Sequence, residues 1–354
     1  MKINKNVYVL HDFDGRPYYK AIEERYNVIY LNTRPFRFLL RDLIKFKSIK
    51  KDTLNSLYFF FFLPFYNKRS FILAMAPFNV RLIYYGLLVF RNKVYYHTSW
   101  PNWNGSVPFN LPILGGSIIQ ALWKFFLSNF QARIAVTLGA QESLSDFLNG
   151  HIVHQIPHVV DVKSISASHL QYKFDRDCKH VGYLGRLDTL KGIIIFFDIF
   201  EMFRNNDSYK FFCVGQGKYT SKAKELSSKY QNMEYLGYIS DRDAIRDYLS
   251  DLDILLVPSI RCSKWEELFG LVIIEAMSQG VVVVSSDHVG PVSIIDNTHD
   301  GFLFSEDSYF EGCIDILKKD KSFYKSISIN ALKKSKRYDM LNISRKWNRC
   351  LGSE

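Results

Sequence analysis

From residue 179 onward, short apolar runs rich in β-branched and aromatic residues alternate with amphipathic stretches at close spacing. Runs at 181–184, 211–214, 234–238, 254–257, 281–285 and 302–304 predict strands, and stretches at 191–204, 221–230, 241–252, 269–279 and 309–318 predict helices between them. Such alternation implies a parallel sheet covered on both faces, because each parallel crossover needs a helix to return the chain. The first half repeats the theme less regularly, with strand-like residues at 7–10, 28–31, 94–97, 134–137 and 152–156. The expected fold class is α/β, with two Rossmann-like doubly wound lobes. The apolar periodicity lapses near 157–173, where 163–168 is polar, which predicts a first lobe at 1–160 and a second at 161–332. Beyond the last strand, Tyr338, Leu341, Ile343, Trp347 and Leu351 recur at helical spacing. Segment 333–354 is therefore expected to be a helix that packs back on the first lobe.

A chain of 354 residues fits two lobes better than one core, and 47% apolar with 23% charged residues is the composition of a folded globular protein. The five cysteines, Cys178, Cys213, Cys262, Cys313 and Cys350, are scattered and odd in number, so neither a disulfide framework nor a zinc site is expected. A reducing, cytoplasmic setting follows, and residues 1–10 do not have the form of a secretory signal. The most apolar stretches, 57–66 and 71–90, are interrupted by Pro64, Pro77, Asn79 and Arg81, short of the roughly 20 clean residues of a spanning helix.

Net charge is +11 and unevenly spread. Residues 1–150 carry 19 Lys and Arg against 8 Asp and Glu, residues 151–332 carry 20 against 25, and residues 333–354 carry 7 against 2. A basic, aromatic-rich first half is compatible with nucleic acid, an anionic membrane surface or an acidic substrate, and charge alone does not choose. Residues 34–51 read as a helix with Phe36, Leu39, Leu40, Leu43 and Phe46 on one side and Arg34, Arg37, Arg41 and Lys45 on another, and 57–66 holds seven aromatics in ten residues. These segments fit either an interfacial surface or a core-facing helix and a buried strand.

The candidate chemistry lies in the second half. Gly185-Arg186-Leu187-Asp188-Thr189-Leu190-Lys191-Gly192 sits between a predicted strand and helix, where free backbone N–H groups and the helix dipole collect anions. Arg186 and Lys191 can clamp a diphosphate there, or be only a solvated basic turn. After the strand at 254–257 comes Glu266-Glu267-Leu268-Phe269-Gly270-Leu271-Val272-Ile273-Ile274-Glu275-Ala276-Met277. A helix beginning near Phe269 puts Glu267 in the preceding loop and Glu275 about nine ångströms along the axis, so each carboxylate can hold the hydroxyls of a different ring. Gly270 permits close backbone approach, and Glu275 lies among apolar neighbours where an ionised side chain needs a partner.

These motifs, with Val214-Gly-x-Gly217, Pro258-Ser259 and the following Gly280-x-x-Val-Val-x-Ser, resemble the nucleotide-sugar domain of GT-B retaining glycosyltransferases of the large family 4 group, densely from about 181 to 304. The resemblance implies two lobes facing across a cleft, with the donor on the second. It implies that Arg186 and Lys191 contact the donor diphosphate, Glu275 the ribose, and Glu267 with the backbone of Phe269, Gly270 and Leu271 the transferred sugar and its phosphate. His97, at the end of the strand-like 94–97, resembles the histidine that family members place beside the donor sugar. Departures are Asp12-Phe13-Asp14-Gly15-Arg16 where many relatives carry paired glycines, His158-Val159-Val160-Asp161 for Asn-Gly-Val-Asp, and Ser293 for an acidic residue.

Asp12 and Asp14 form a D-x-D pair, but the spacing recurs at Asp175/Asp177, Asp241/Asp243 and Asp251/Asp253, so no metal is assigned. The expected activity is metal-independent sugar transfer from a UDP- or GDP-sugar, with no other cofactor, to a saccharide or lipid-linked saccharide in surface polysaccharide synthesis (O-antigen, capsule or lipopolysaccharide). The expected location is cytoplasmic or peripheral on the inner face of the plasma membrane, on anionic lipid. Alternatives are another enzyme on the same scaffold, such as a nucleotide-sugar epimerase, and a non-enzymatic basic binder of nucleic acid or anionic surfaces. Against nucleic acid as a partner, no RNP-type signature, zinc-finger spacing or GXXG clamp is present.

Overall fold

The computed structural model describes residues 5–13, 15–103, 116–160, 163, 165–262 and 265–352. The chain divides into two compact units, Met1–Val159 with Met340–Glu354, and Val160–Asp339.

The first unit is built on six parallel strands, β1 (Asn6–His11), β2 (Asn27–Asn32), β3 (Ser70–Ala74), β4 (Lys93–Thr98), β5 (Ala132–Ala135) and β6 (Val153–Gln155), in the order β2-β1-β3-β4-β5-β6. A strand covered on both faces must be apolar on both, and β1 shows how. Tyr8 and Leu10 enter one core with Phe59 and Trp123, while Val7 and Val9 enter another with Tyr19, Ile343 and Trp347.

The second unit holds β7 (Lys179–Leu184), β8 (Tyr209–Val214), β9 (Met233–Gly237), β10 (Ile254–Val257), β11 (Val282–Ser286) and β12 (Phe302–Phe304), in the order β12-β11-β10-β7-β8-β9 and all parallel. The chain enters at β7, runs outward through β8 and β9, and returns to β10 on the other side of β7. The strand order thus reverses between β7 and β10, and the carboxyl ends flanking such a switch are where doubly wound sheets bind ligands.

Four expectations are corrected. β3 begins at Ser70 and runs into the stretch 71–90, for which no strand was predicted. The helix expected at 34–51 is instead a helix at Pro35–Arg41, a π-helical turn at Asp42–Phe46 and a break at Lys47, whose φ is 52°. The buried Asp42 carboxylate fixes this break by accepting from the Lys50 amide at 3.1 Å and from Thr53 Oγ1 at 2.6 Å. Residues 57–66 are not a strand: the helix Lys51–Phe62 runs into a 3-10 turn at Leu63–Phe65. The helix expected at 333–354 is the end of Lys321–Ser335, a turn at Lys336–Tyr338 and a separate helix Met340–Cys350. Two cores divide its apolar residues, because Tyr338 packs on Phe269 in the second unit whereas Ile343, Trp347 and Leu351 join the first. The units therefore part at 339/340 rather than at 332/333.

Candidate functional site

The loop after β7 is braced from three directions. Tyr183 Oη lies 2.7 Å from the Arg186 carbonyl and 3.1 Å from that of Lys191. The loop after β8 lies against it, with the Leu187 amide donating to Gln216 O and the Tyr219 amide to Leu187 O. That approach explains Val-Gly-x-Gly: a Cβ on Gly215 would stand 1.8 Å from Gly185 O, and one on Gly217 would stand 2.6 Å from Leu187 O. Asp188 caps the turn Thr189–Lys191 by accepting from the Lys191 amide at 2.9 Å. Gly192, at φ 66°, passes so near the loop after β10 that a Cβ would meet Pro258 O at 1.7 Å.

So positioned, Lys191 makes an ion pair with the Glu267 carboxylate, and its Nζ stands 5.0 Å from the centre of the Trp265 ring. Arg186 is largely exposed and lies 3.2 Å from Asp188. Glu267 is fixed at both ends of its peptide unit, its N–H donating to His288 Nδ1 at 3.0 Å and its carbonyl accepting from Gly290 N at 2.9 Å. Because Nδ1 accepts, the His288 proton sits on Nε2, 3.1 Å from Glu306 Oε1. A Cβ on Gly290 would stand 2.4 Å from Phe269 N, so this glycine permits the stacking of the two loops.

Gly270, at φ 87°, is the N-cap of the helix Leu271–Ser278 and offers its N–H groups no side-chain cap. The helix starts two residues later than expected, so Glu275 stands about 6 Å along the axis from its first residue. Its carboxylate pairs with Arg242, from the helix Arg242–Ser250, and burial pushes its pKa above the usual 4.5 against the opposing pull of Arg242. The Phe269 side chain is buried on Tyr338. Lys191 and Glu267 are thus brought into contact, whereas Glu275 and Arg186 each hold a different partner. Arg242, Trp265 and His288 escaped the sequence reading. The one hint in the sequence was the apolar setting of Glu275, where an ionised side chain needs a partner.

His97 belongs to the first unit, at the end of β4. A 2.6 Å hydrogen bond joins its Nδ1 to Tyr19 Oη, and the rings of His158 and Trp347 flank it at 5.6 and 5.3 Å. Among the described residues Nε2 is buried without a hydrogen-bond partner, and desolvation lowers the imidazole pKa to about 3 against an opposing pull from the Ile156 backbone. The imidazole is neutral in the folded protein.

Among the described residues, no three His, Cys, Asp or Glu side chains are grouped to hold a metal ion. Asp14 and Asp161 lie outside those residues. Asp12 is engaged by Arg34 and Arg81, Asp251 and Asp253 by Arg176, and Asp243 by Arg246, while Asp241 caps a helix.

On the first unit, Leu40, Leu43, Ile44, Tyr58, Phe61 and Phe65 are each at least half exposed. Lys45, Lys47 and Lys50 stand exposed among them. Of the four cations expected on one side of residues 34–51, Arg34 and Arg41 are turned onto Asp12 and Asp42. No helix among the described residues is long and apolar enough to cross a membrane.

The comparisons with known proteins now bear on this geometry. Residues 165–334 match the glycosyl transferases group 1 family model. That match covers the loops after β7, β8 and β10 and the helix carrying Glu275. Over 129 residues, 36% of this chain and 31% of the relative, the protein is 30% identical to an uncharacterized 42.6 kDa protein in the cps region of Klebsiella pneumoniae. Over 176 residues, 48% of this chain and 45% of the relative, it is 28% identical to the phosphatidyl-myo-inositol mannosyltransferase of Mycobacterium leprae. The chain thus spans less than half the length of either relative. The crystal structure of Anabaena HepE in complex with UDP shares the fold, with a TM-score of 0.69 at 17% identity over 99% of this chain and 100% of that one. The α/β class with two doubly wound parallel sheets is borne out.

Proposed function

We propose that this protein is a retaining, metal-independent glycosyltransferase that moves a sugar from a UDP- or GDP-sugar to a lipid-linked saccharide during surface polysaccharide synthesis. The observation that carries the reading is the Lys191–Glu267 pair at the sheet's switch point, beside an uncapped helix N-terminus, inside the segment that matches glycosyl transferases group 1. The relative in a cps region and the lipid-directed mannosyltransferase support the acceptor class.

Lys191 and Arg186 stabilise the diphosphate as the bond from the anomeric carbon to phosphate breaks, which is charge stabilisation where charge develops. Glu267, freed from Lys191 by the competing phosphate, takes hydroxyls of the transferred sugar, and Glu275 takes those of the ribose. The acceptor hydroxyl attacks from the leaving-group side, and the departing phosphate oxygen receives its proton. His97, a neutral imidazole, is the residue of the first unit assigned to the sugar. The exposed apolar residues and lysines of the first unit dock on anionic lipid at the inner membrane face, where the acceptor resides.

The test is a thermal-shift screen across UDP-, GDP-, ADP- and dTDP-sugars, followed by mass spectrometry of products with and without acceptor. A shift with one donor class and a product that needs acceptor are expected. Conversion of donor alone would point to an epimerase, and no shift with any donor would remove the donor site.

A further inference from the structure

A second constructed site lies in the first unit, at the carboxyl ends of β1, β2 and β3. Asp12 follows β1, Thr33 follows β2 and Ala76 lies just beyond β3, and the strand order reverses between β1 and β3. The Asp12 side chain, 5% exposed, accepts from Thr33 Oγ1, from Ala76 N at 3.2 Å, from Arg81 Nη1 at 2.7 Å and from Arg34 Nη2 at 3.3 Å. Burial acts to raise its pKa, but the Arg81 and Thr33 hydrogen bonds outweigh it and keep the group ionised.

One carboxylate thus faces two guanidiniums, and two of their donors, Arg34 Nε and Arg81 Nη2, are buried without an acceptor among the described residues. A third guanidinium, Arg37, lines the same opening; it is exposed and takes no ion pair among the described residues. The opening is a groove of about 720 Å³. Its far wall is a packed aromatic cluster, with Phe36 edge-on to Phe60 at 5.2 Å and Phe60 on Tyr84 at 4.6 Å. The Asn79 side-chain carbonyl is already occupied by the amide and Nε of Arg81, both at 3.0 Å.

We propose that this groove binds the phosphate or diphosphate end of an amphiphilic acceptor, with the anion on Arg34 and Arg37 and the first alkyl carbons on the aromatic wall. The excess of two positive charges matches a phosphate dianion, and planar guanidiniums bind its oxygens in pairs. The aromatic wall offers alkyl contact and few groups for sugar hydroxyls, which selects a lipid phosphate over a free sugar phosphate. The groove's size is that of a ligand site, which typically spans about 300–1,000 Å³. The assignment rests on the reading of the protein as a transferase to a lipid-linked acceptor, and its test involves neither donor nor transfer, so each can fail alone.

The test is isothermal titration of the full chain with decyl phosphate below its micellar concentration, with inorganic phosphate and decanol as parallel arms. Saturable binding of decyl phosphate, at least tenfold tighter than either fragment, is expected. Arg37→Gln, at an exposed and unpaired position, should weaken it about tenfold. Phe36→Ser should weaken decyl phosphate while sparing inorganic phosphate, and Lys224→Gln, at an exposed position of the second unit, should change neither. Wild-type affinity in Arg37→Gln, equal binding of inorganic phosphate or of decanol, or an equal loss in Lys224→Gln would overturn the proposal.

Discussion

Replacing Glu275 by Gln separates a binding role from a structural one. The carboxylate is 20% exposed and its ion-pair partner, Arg242, is 65% exposed, so solvent screening limits the pair to about 1 kcal/mol or less. Burial raises the Glu275 pKa, so the folded protein holds its proton more tightly than the unfolded chain. Stability associated with that proton is present at low pH and is lost as pH rises from 4.5 through the folded pKa. At pH 7.5 the variant should therefore melt at or above the wild-type temperature. Donor affinity should fall instead, because a charge-assisted hydrogen bond to a ribose hydroxyl contributes about 1.5–3 kcal/mol, or roughly 10- to 150-fold in Kd. The amide still accepts weakly, so Gln belongs near the lower figure and Ala near the upper. Calorimetric titration with the donor nucleotide, alongside melting curves, measures both quantities. A folded Glu275→Gln protein with wild-type affinity refutes the ribose assignment, and a drop in Tm that parallels the affinity loss refutes the bookkeeping of the ion pair.

Burial holds His97 neutral, with a pKa of about 3, so its contribution is intact above the ordinary 6.5 and is lost as pH falls from there toward 3. Urea melts at pH 7.5 and 5.5 should show wild type losing on the order of 1.4 kcal/mol more than His97→Gln; equal losses would count against a buried neutral imidazole. In liposome flotation, wild type should rise with anionic vesicles and be released by salt or by Lys45→Glu, Lys47→Glu and Lys50→Glu together, whereas equal recovery from neutral vesicles would favour a soluble acceptor. Transfer should survive EDTA, and a complete loss restored by Mg²⁺ or Mn²⁺ would show that an acidic pair takes part after all.

Much of the second unit was legible because its strands hold short apolar runs, such as Ile254–Val257, ended by punctuation, and because the glycines stand where backbones touch. Gly215, Gly217 and Gly290 can carry no Cβ, so their spacing in the sequence records which loops pack together. The first unit was harder to read for a physical reason. β3 lies in a long apolar stretch whose periodicity does not separate strand from helix. The break at Lys47 depends on one buried carboxylate, Asp42, reaching an amide eight residues on, which no local propensity encodes. The partners of the site carboxylates were likewise invisible, since Arg242 and Lys191 meet Glu275 and Glu267 across 33 and 76 residues of chain. The Asp12 cluster joins residues 12, 33, 34, 76 and 81 by the same kind of long-range closure.

The most direct measurement is transfer of radiolabelled sugar from the donor selected by the thermal-shift screen into a membrane lipid fraction, by wild type and by Lys191→Ala. Lys191 lies on a fixed turn with its chain partly exposed, so alanine should fold normally while removing the cation at the diphosphate. The account predicts label in the lipid fraction with wild type and, in the folded variant, a rate lower by roughly 10- to 150-fold, the kinetic equivalent of about 1.5–3 kcal/mol. Wild-type transfer by folded Lys191→Ala would contradict the placement of the donor diphosphate at the switch point of the second sheet.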